Sequence, residues 1–300
     1  MPPSKNMGAL LSFAINSLPF NEIPFFPNIL PTLYTHSLCK RNPFANLSGI
    51  PYNDTIPKQK GQTMQHCKLT LICNAGIVLE LGRAVIWSDV LHDDKTPRFS
   101  SVTPELAKKV IDGGIVPAPD LLLYSHCHRD HYSQGLTERA LAKWPAAQLI
   151  LPREDFPGRQ LLLDQEQHLF SFRGLQFRFG KLTHQGADFA HIPNYGVIIN
   201  AGGFRILMAG DCTVESDELG TFVGQEHIDL AIMGFPWVSR PQGRAIIDEV
   251  ICPDRLVIYH LPFAEDNWAG LREKSAAGAA YIRSIPDMRF LWEPFQTMIF

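Results

Sequence analysis

The chain has 300 residues, a length that fits one large domain or two small ones. Its 45% hydrophobic and 19% charged residues make the mix of a globular protein, which excludes disorder as its main state. A net charge of −3 excludes a broad electrostatic footprint for nucleic acid, and no apolar run reaches the ~18–20 residues of a membrane span. Six cysteines, at 39, 67, 73, 127, 212 and 252, never form a C-x-x-C pair. That excludes a zinc ribbon or a thioredoxin-type motif, and so sparse a set suggests a reducing, cytoplasmic setting.

The chain changes character near residue 64. Residues 1–63 hold nine prolines and only two acids, Glu22 and Asp54. Prolines 19, 24, 27, 31, 43, 51 and 57 interrupt every helix or strand that could start there. A secretory signal is one reading, because Lys5 precedes a short apolar stretch at 7–15, but no small-x-small cleavage site follows. An organelle transit peptide is a second, yet the segment has one arginine, Arg41, and too many prolines. The expectation is that 1–63 is a disordered leader or a mis-assigned start before Met64, and that 64–300 is the working domain.

From Met64 the pattern becomes regular. Three short strands are expected at 68–73, 76–81 and 83–88, rich in Val, Ile and Leu. Thr103-Pro104 opens a helix that Gly113-Gly114 ends. A buried strand at 120–124 leads through a polar loop into a helix over 136–144. Further strands are expected at 149–151, 175–182, 195–200, 204–208, 228–233 and 255–259, with a helix at 244–250. A helix at 271–284 and strands at 288–292 and 297–300 close the chain. An all-β run followed by alternating strands and helices suggests an α/β sandwich of two sheets with helices outside, not a doubly wound sheet.

The decisive segment is Ser125-His126-Cys127-His128-Arg129-Asp130-His131, directly after the strand at 120–124. At an extended strand end residues i and i+2 point the same way. His126 and His128 can therefore aim at one point while Cys127 faces away. Asp130 and His131 come as the chain turns, and can aim at a second point nearby. Imidazole with carboxylate suits a divalent cation such as zinc. Histidine is scarce, 11 in 300, so three within six residues is hard to reach by accident.

This run resembles the H-x-H-x-D-H signature of the metallo-β-lactamase superfamily. The resemblance extends down the chain. The apolar strand 205–209 ends in Gly210-Asp211, and 256–259 ends in His260. His184 follows the strand at 175–182, where the superfamily supplies another ligand. The similarity covers residues 66–300. It implies a four-layer αβ/βα sandwich, two mixed sheets face to face with helices outside. It implies that His126, His128 and His184 hold a first metal, that Asp130, His131 and His260 hold a second, and that Asp211 bridges them. His191 is the rival to His184. The cofactor implied is a pair of divalent ions, zinc first, with manganese or iron as alternatives.

Other residues stay open at this point. Asp89 ends the strand at 83–88 and is either a support for the metal loop or a turn carboxylate. His92 either reaches the site or sits on the surface. Cys212 is a soft ligand or a packing residue. Phe235, Pro236, Trp237, Arg240, Pro262 and Phe263 follow ligand-bearing strands and either wall a substrate pocket or are loop residues. Tyr195 is a weak candidate for polarising a substrate oxygen. His36, His66 and His227 have no partners that the sequence names.

The chemistry expected of two divalent ions is hydrolysis, by a hydroxide bridging them and with Asp130 orienting the water. Asp130 and Asp211 are the expected catalytic carboxylates. The substrate class is a small ester-like molecule: a phosphodiester, lactone, thioester or amide. A non-hydrolytic metal-binding sensor or partner-binding protein is the alternative. A nuclease is disfavoured by charge, no membrane partner is expected, and a homo-oligomer is open.

Overall fold

The computed structural model describes residues 67–93, 96 and 98–300. The expected leader, 1–63, lies outside the described residues. Three strands open the domain, β1 (Cys67–Cys73), β2 (Gly76–Leu81) and β3 (Ala84–Ser88), and pair antiparallel in chain order. β4 (Leu121–Leu123), β5 (Gln148–Leu151) and β6 (Leu161–Leu162) then add in parallel. Parallel neighbours need a crossover. α1 (Pro104–Ile111) connects β3 to β4, and α2 (Gln134–Lys143) connects β4 to β5. Both helices start at a hydroxyl cap: Thr103 Oγ1 accepts Leu106 N–H at 3.2 Å, and Ser133 Oγ accepts Leu136 N–H at 3.3 Å.

The second half repeats the plan. β7 (Gln167–Phe172), β8 (Leu175–Leu182), β9 (Asn194–Ala201) and β10 (Phe204–Met208) form an antiparallel run. β11 (Leu230–Gly234), β12 (Arg255–Tyr259) and β13 (Asp287–Phe290) continue it in parallel. The crossovers carry α3 (Glu218–Val223), α4 (Pro236–Ser239), α5 (Pro241–Ile246) and α6 (Leu271–Ala279). The last strand, β14 (Thr297–Ile299), returns to pair with β1. Each sheet has seven strands, ordered β14-β1-β2-β3-β4-β5-β6 and β13-β12-β11-β10-β9-β8-β7.

Period-two alternation decides what each sheet buries. On β11, Leu230 and Ile232 join the core between the sheets, while Ala231 and Met233 join the outer core with the helices. On β12, Val257 and Tyr259 face inward, and Leu256 and Ile258 face α3–α6. Ala107, Val110 and Ile111 of α1, with Ala140 and Leu141 of α2, pack on the first sheet. The result is the expected αβ/βα sandwich. Among the described residues no helix is long and apolar enough to cross a membrane.

The topology also sets where chemistry can sit. β3 and β4 run parallel in one sheet, and β8, β10 and β12 run the same way in the other. The loops after their C-terminal ends carry Asp89, His126–His131, His184, Asp211 and His260 in turn. Ligand sites in open α/β sheets lie at such carboxyl ends.

Candidate metal centre

The loop after β4 turns on one carbonyl. His131 N–H and Tyr132 N–H both donate to His128 O, at 3.0 and 2.9 Å. The turn points His126 and His128 to one side, with ring centroids 4.8 Å apart, and brings His131 back beside them. Cys127 faces away and packs against the central core.

A short bridge from the second sheet then adds its residues. Gln185 N–H donates to Asp211 O at 2.7 Å, and Thr213 N–H donates to Thr183 O at 2.9 Å. This locks His184 beside Asp211. Gly210 makes the approach possible. Its φ is +55°, and a Cβ there would lie 2.5 Å from Asn194 Oδ1. That oxygen accepts Asp211 N–H at 3.0 Å and so fixes the carboxylate.

Asp211 faces two groups of imidazoles. Its Oδ2 lies 3.7 Å from His184 Nε2 and 4.0 Å from His126 Nε2. Its Oδ1 lies 3.4 Å from His260 Nε2 and 3.5 Å from His131 Nε2. Asp130 Oδ2 stands 3.9 Å from His260 Nε2. Donor atoms thus gather within 4.8 Å of one another in overlapping sets: His126, His128 and His184; His126, His131 and Asp211; and Asp130, His131 and His260. All seven residues singled out in the sequence come together here. His191 does not join them and lies exposed in the β8–β9 loop.

The donors suit a cation. His131 Nδ1 lies 3.2 Å from Asp89 Oδ2, His184 Nδ1 lies 2.8 Å from Gln185 O, and His126 Nδ1 lies 3.0 Å from Ser125 Oγ. Each outer nitrogen has an oxygen within hydrogen-bond reach, which orients the ring and turns Nε2 inward as the atom free to bind a cation once the ring is neutral. The inward nitrogens crowd together: His131 and His260 Nε2 are 2.9 Å apart, and His126 and His184 Nε2 are 3.4 Å apart. Nitrogen lone pairs and a carboxylate converging in a buried place fit a divalent metal.

The protonation pattern of the metal-free site has the same origin. Burial, helped by the neighbouring His131, holds His126 well below the ordinary imidazole value. Burial also lowers His128 and His184. His131 goes the other way: burial opposes its charge, but Asp211, Asp89 and Asp130 raise it well above normal. Burial likewise opposes ionisation of Asp211, yet His260 and His131 hold its carboxyl well below the usual range.

Comparison with known proteins rests on shape. No family profile and no curated protein sequence matches the chain. Among solved structures, the metallo-beta-lactamase fold protein YhfI from Bacillus subtilis matches with a TM-score of 0.52 at 17% identity, covering 78% of this chain and 99% of that one. The chain has the metallo-β-lactamase fold. Igni18, a metallo hydrolase from Ignicoccus hospitalis KIN4/I, matches at a TM-score of 0.55 and 17% identity, over 78% of this chain and 98% of its own. CmlA, a diiron β-hydroxylase from Streptomyces venezuelae, matches at 0.55 and 15% identity over 79% of this chain and 54% of its own. The chain therefore spans about half the length of CmlA.

Within this metallo-β-lactamase fold the open residues find their places. Asp89 is buried: its Oδ1 accepts Ser125 N–H and its Oδ2 accepts Ser125 Oγ–H, both at 2.8 Å, alongside His131 Nδ1–H. His92 is not a surface residue but fully buried, with Nε2 3.4 Å from Cys73 O. Burial, with His131 nearby, pushes it down to about 4. Tyr195 is buried and donates its hydroxyl to Gln165 O at 2.8 Å, a bond that turns it away from a substrate role. Trp237 and Cys212 belong to the outer core and Phe263 to the central core, so packing explains them. Arg240 pairs with Glu215 at 2.6 Å. His227 does have partners, Asp254 at 3.1 Å and Asp229 at 3.8 Å, in a separate, partly exposed cluster. Asn74 escaped the sequence reading. It is fully buried in the β1–β2 turn, and its Nδ2 donates to Asp130 O at 3.2 Å. An Asn followed by a small residue in a turn gives no hint of so distant a partner.

Proposed function

We propose that the protein is a dinuclear metal-dependent hydrolase of a small ester-like substrate. One observation carries the reading: the two oxygens of Asp211 face two different histidine groups. In this reading His126, His128 and His184 hold one ion, Asp130, His131 and His260 hold the other, and Asp211 serves both. Divalent ions bound there supply Lewis acidity and make water more acidic.

The chain's own groups do the rest. Asp211 stays ionised and keeps both histidine groups in register. Asp130, held by Asn74, whose Nδ2 lies 3.5 Å from its Oδ2, is positioned to orient the attacking water and to receive its proton. Asp89 fixes His131 and, through Ser125, His126. The substrate is a small molecule in this reading, since the chain lacks the basic excess that a nucleic acid needs.

The test is metal content on protein purified without added metal or chelator, followed by turnover of carboxylic and phosphoric ester probes. About two ions per chain, turnover, and loss of both in Asp211→Asn would support the reading. Two ions without turnover of any probe would favour the sensor alternative. A pair of iron ions with no hydrolysis would instead favour oxygen chemistry of the kind CmlA's name describes, which a nitrogen and oxygen donor set also permits.

A further inference from the structure

The metal centre has phenyl rings at both ends. The β8–β9 loop folds back on itself after Gly186: Phe189 N–H donates to Gly186 O, and Ile192 N–H donates to Phe189 O, both at 2.9 Å. The hook holds Phe189 edge-on to His128 and His184, with centroids 5.1 and 5.7 Å away. The residue is nevertheless 49% exposed. At the other end Phe99 lies 4.5 Å from the ring of His260, and Phe235 lies 6.1 Å from Phe99 and 6.4 Å from His260. Ser100 pins this side, donating to Asp266 Oδ2 at 2.8 Å and accepting Phe263 N–H at 2.9 Å.

A phenyl ring held half in water beside buried donors presents an apolar face to whatever enters the site. A molecule that spans the two histidine groups meets phenyl at each end. Such walls favour a neutral apolar group and penalise the desolvation of a charged one.

We infer that Phe189, with Phe99 and Phe235 opposite, sets the specificity of the site for uncharged carboxylic esters or lactones bearing an apolar acyl group. The inference rests on the hydrolase reading and narrows it, disfavouring phosphodiesters. The reaction is simple in balance. Water adds its oxygen to the acyl carbon, the acyl C–O bond breaks, one water proton goes to the leaving oxygen, and the products are an alcohol and a carboxylic acid that loses its proton, joined in one hydroxy acid where the substrate is a lactone.

The experiment uses the full chain loaded with zinc or manganese. The probes are p-nitrophenyl acetate, butyrate and octanoate, with bis(p-nitrophenyl) phosphate as the charged comparison. The expected result is that kcat/KM rises at least tenfold from acetate to octanoate and that the phosphate is the poorest substrate. Phe189→Ala should lower kcat/KM for octanoate at least fivefold more than it lowers kcat/KM for acetate, chiefly through KM, while Phe189→Leu restores most of the loss. An equal effect on acetate and octanoate, or no effect, or the phosphate as best substrate, overturns the inference. A binding measurement separates it from the hydrolase reading. N-phenyloctanamide, neutral and slow to hydrolyse, is titrated by calorimetry into wild-type and Phe189→Ala protein. Binding weakened at least fivefold by Phe189→Ala supports the apolar walls even if no ester turns over, whereas equal or absent binding overturns them.

Discussion

Asp89 Oδ2 lies 3.2 Å from His131 Nδ1, on the side of the imidazole opposite Asp211. The ring is held between two carboxylates, one buried behind it and one in front. Asp89 adopts φ +51°, a left-handed backbone that Asp tolerates better than most residues. It therefore orients His131 without touching the space where an ion would sit. Asp89→Ala should lower metal affinity about 10–100-fold, the usual cost of removing such a support. Competition with a chromogenic chelator reads this directly. An affinity equal to wild type would reduce Asp89 to a turn residue.

The two histidines of the β8–β9 region should separate cleanly. His184 sits 3.4 Å from His126 Nε2 and 3.7 Å from Asp211, whereas His191 is exposed and outside the cluster. His184→Ala should lose about one ion per chain, and His191→Ala none. Elemental analysis of both variants decides it, and the reverse pattern would sink the assignment.

The parts of this arrangement readable in the sequence are those that local chemistry dictates. The spacing of His126 and His128 states their common direction, and Gly210-Asp211 at a strand end marks a tight turn presenting a carboxylate. Runs that are apolar at every position, as at Leu230–Gly234, read as strands buried on both faces. What the sequence hides is set by distant partners. β7 lies at a sheet edge and blurs the alternation, because His168 turns in with Phe170 and Phe172 while Leu169 faces solvent between Gln167 and Ser171. α3 is six residues long, too short to show a helical period. The helix expected over 244–250 is split, because α5 ends at Ile246 and a π-helical turn runs over Ile247–Ile251. The helix expected to reach 284 ends at Ala279, where small residues such as Gly278 pack against Val238 and leave no side-chain signal of the stop. Asp93 and Asp94 beside His92 suggest a surface turn, but the chain after β3 folds His92 inward, where it is fully buried.

Gly210 offers a steric test of the site's construction. Gly210→Ala places a methyl 2.5 Å from Asn194 Oδ1 and 3.0 Å from Ser125 Cβ, at φ +55°. Asn194 must move, and the bond to Asp211 N–H moves with it. The expected cost is about 2 kcal/mol of stability, together with loss of bound metal. Gly114→Ala is the control. Its φ is +64°, yet a Cβ there meets nothing within 4 Å. It should show only the backbone penalty, roughly 1 kcal/mol, and keep its metal. Urea midpoints and metal content distinguish the two, and equal behaviour would mean that Asn194 does not govern Asp211.

The buried histidines also set the acid limit of the metal-free protein. An unfolded chain protonates its imidazoles near pH 6.5. In the folded chain burial lowers His126, His128 and His184, and lowers His92 to about 4. Between about pH 6.5 and 4 the unfolded state therefore binds protons that the native state refuses, and stability falls as pH falls. His131 has the opposite sign. Its raised value gives stability that is complete below the unfolded value and is lost as pH rises through the folded one. Asp211 and Asp130 have lowered values, so their contribution is present above the ordinary carboxylate range and is lost only in stronger acid. Four lowered imidazoles outweigh one raised imidazole within the window. Each fully buried member contributes up to about 1.4 kcal/mol per pH unit. After chelator treatment the urea midpoint should drop steadily from pH 6.5 to 4.5, and His92→Gln should make that slope shallower. A midpoint that holds or rises over this range would show that the imidazole cluster takes up protons in the folded state as readily as in the unfolded one.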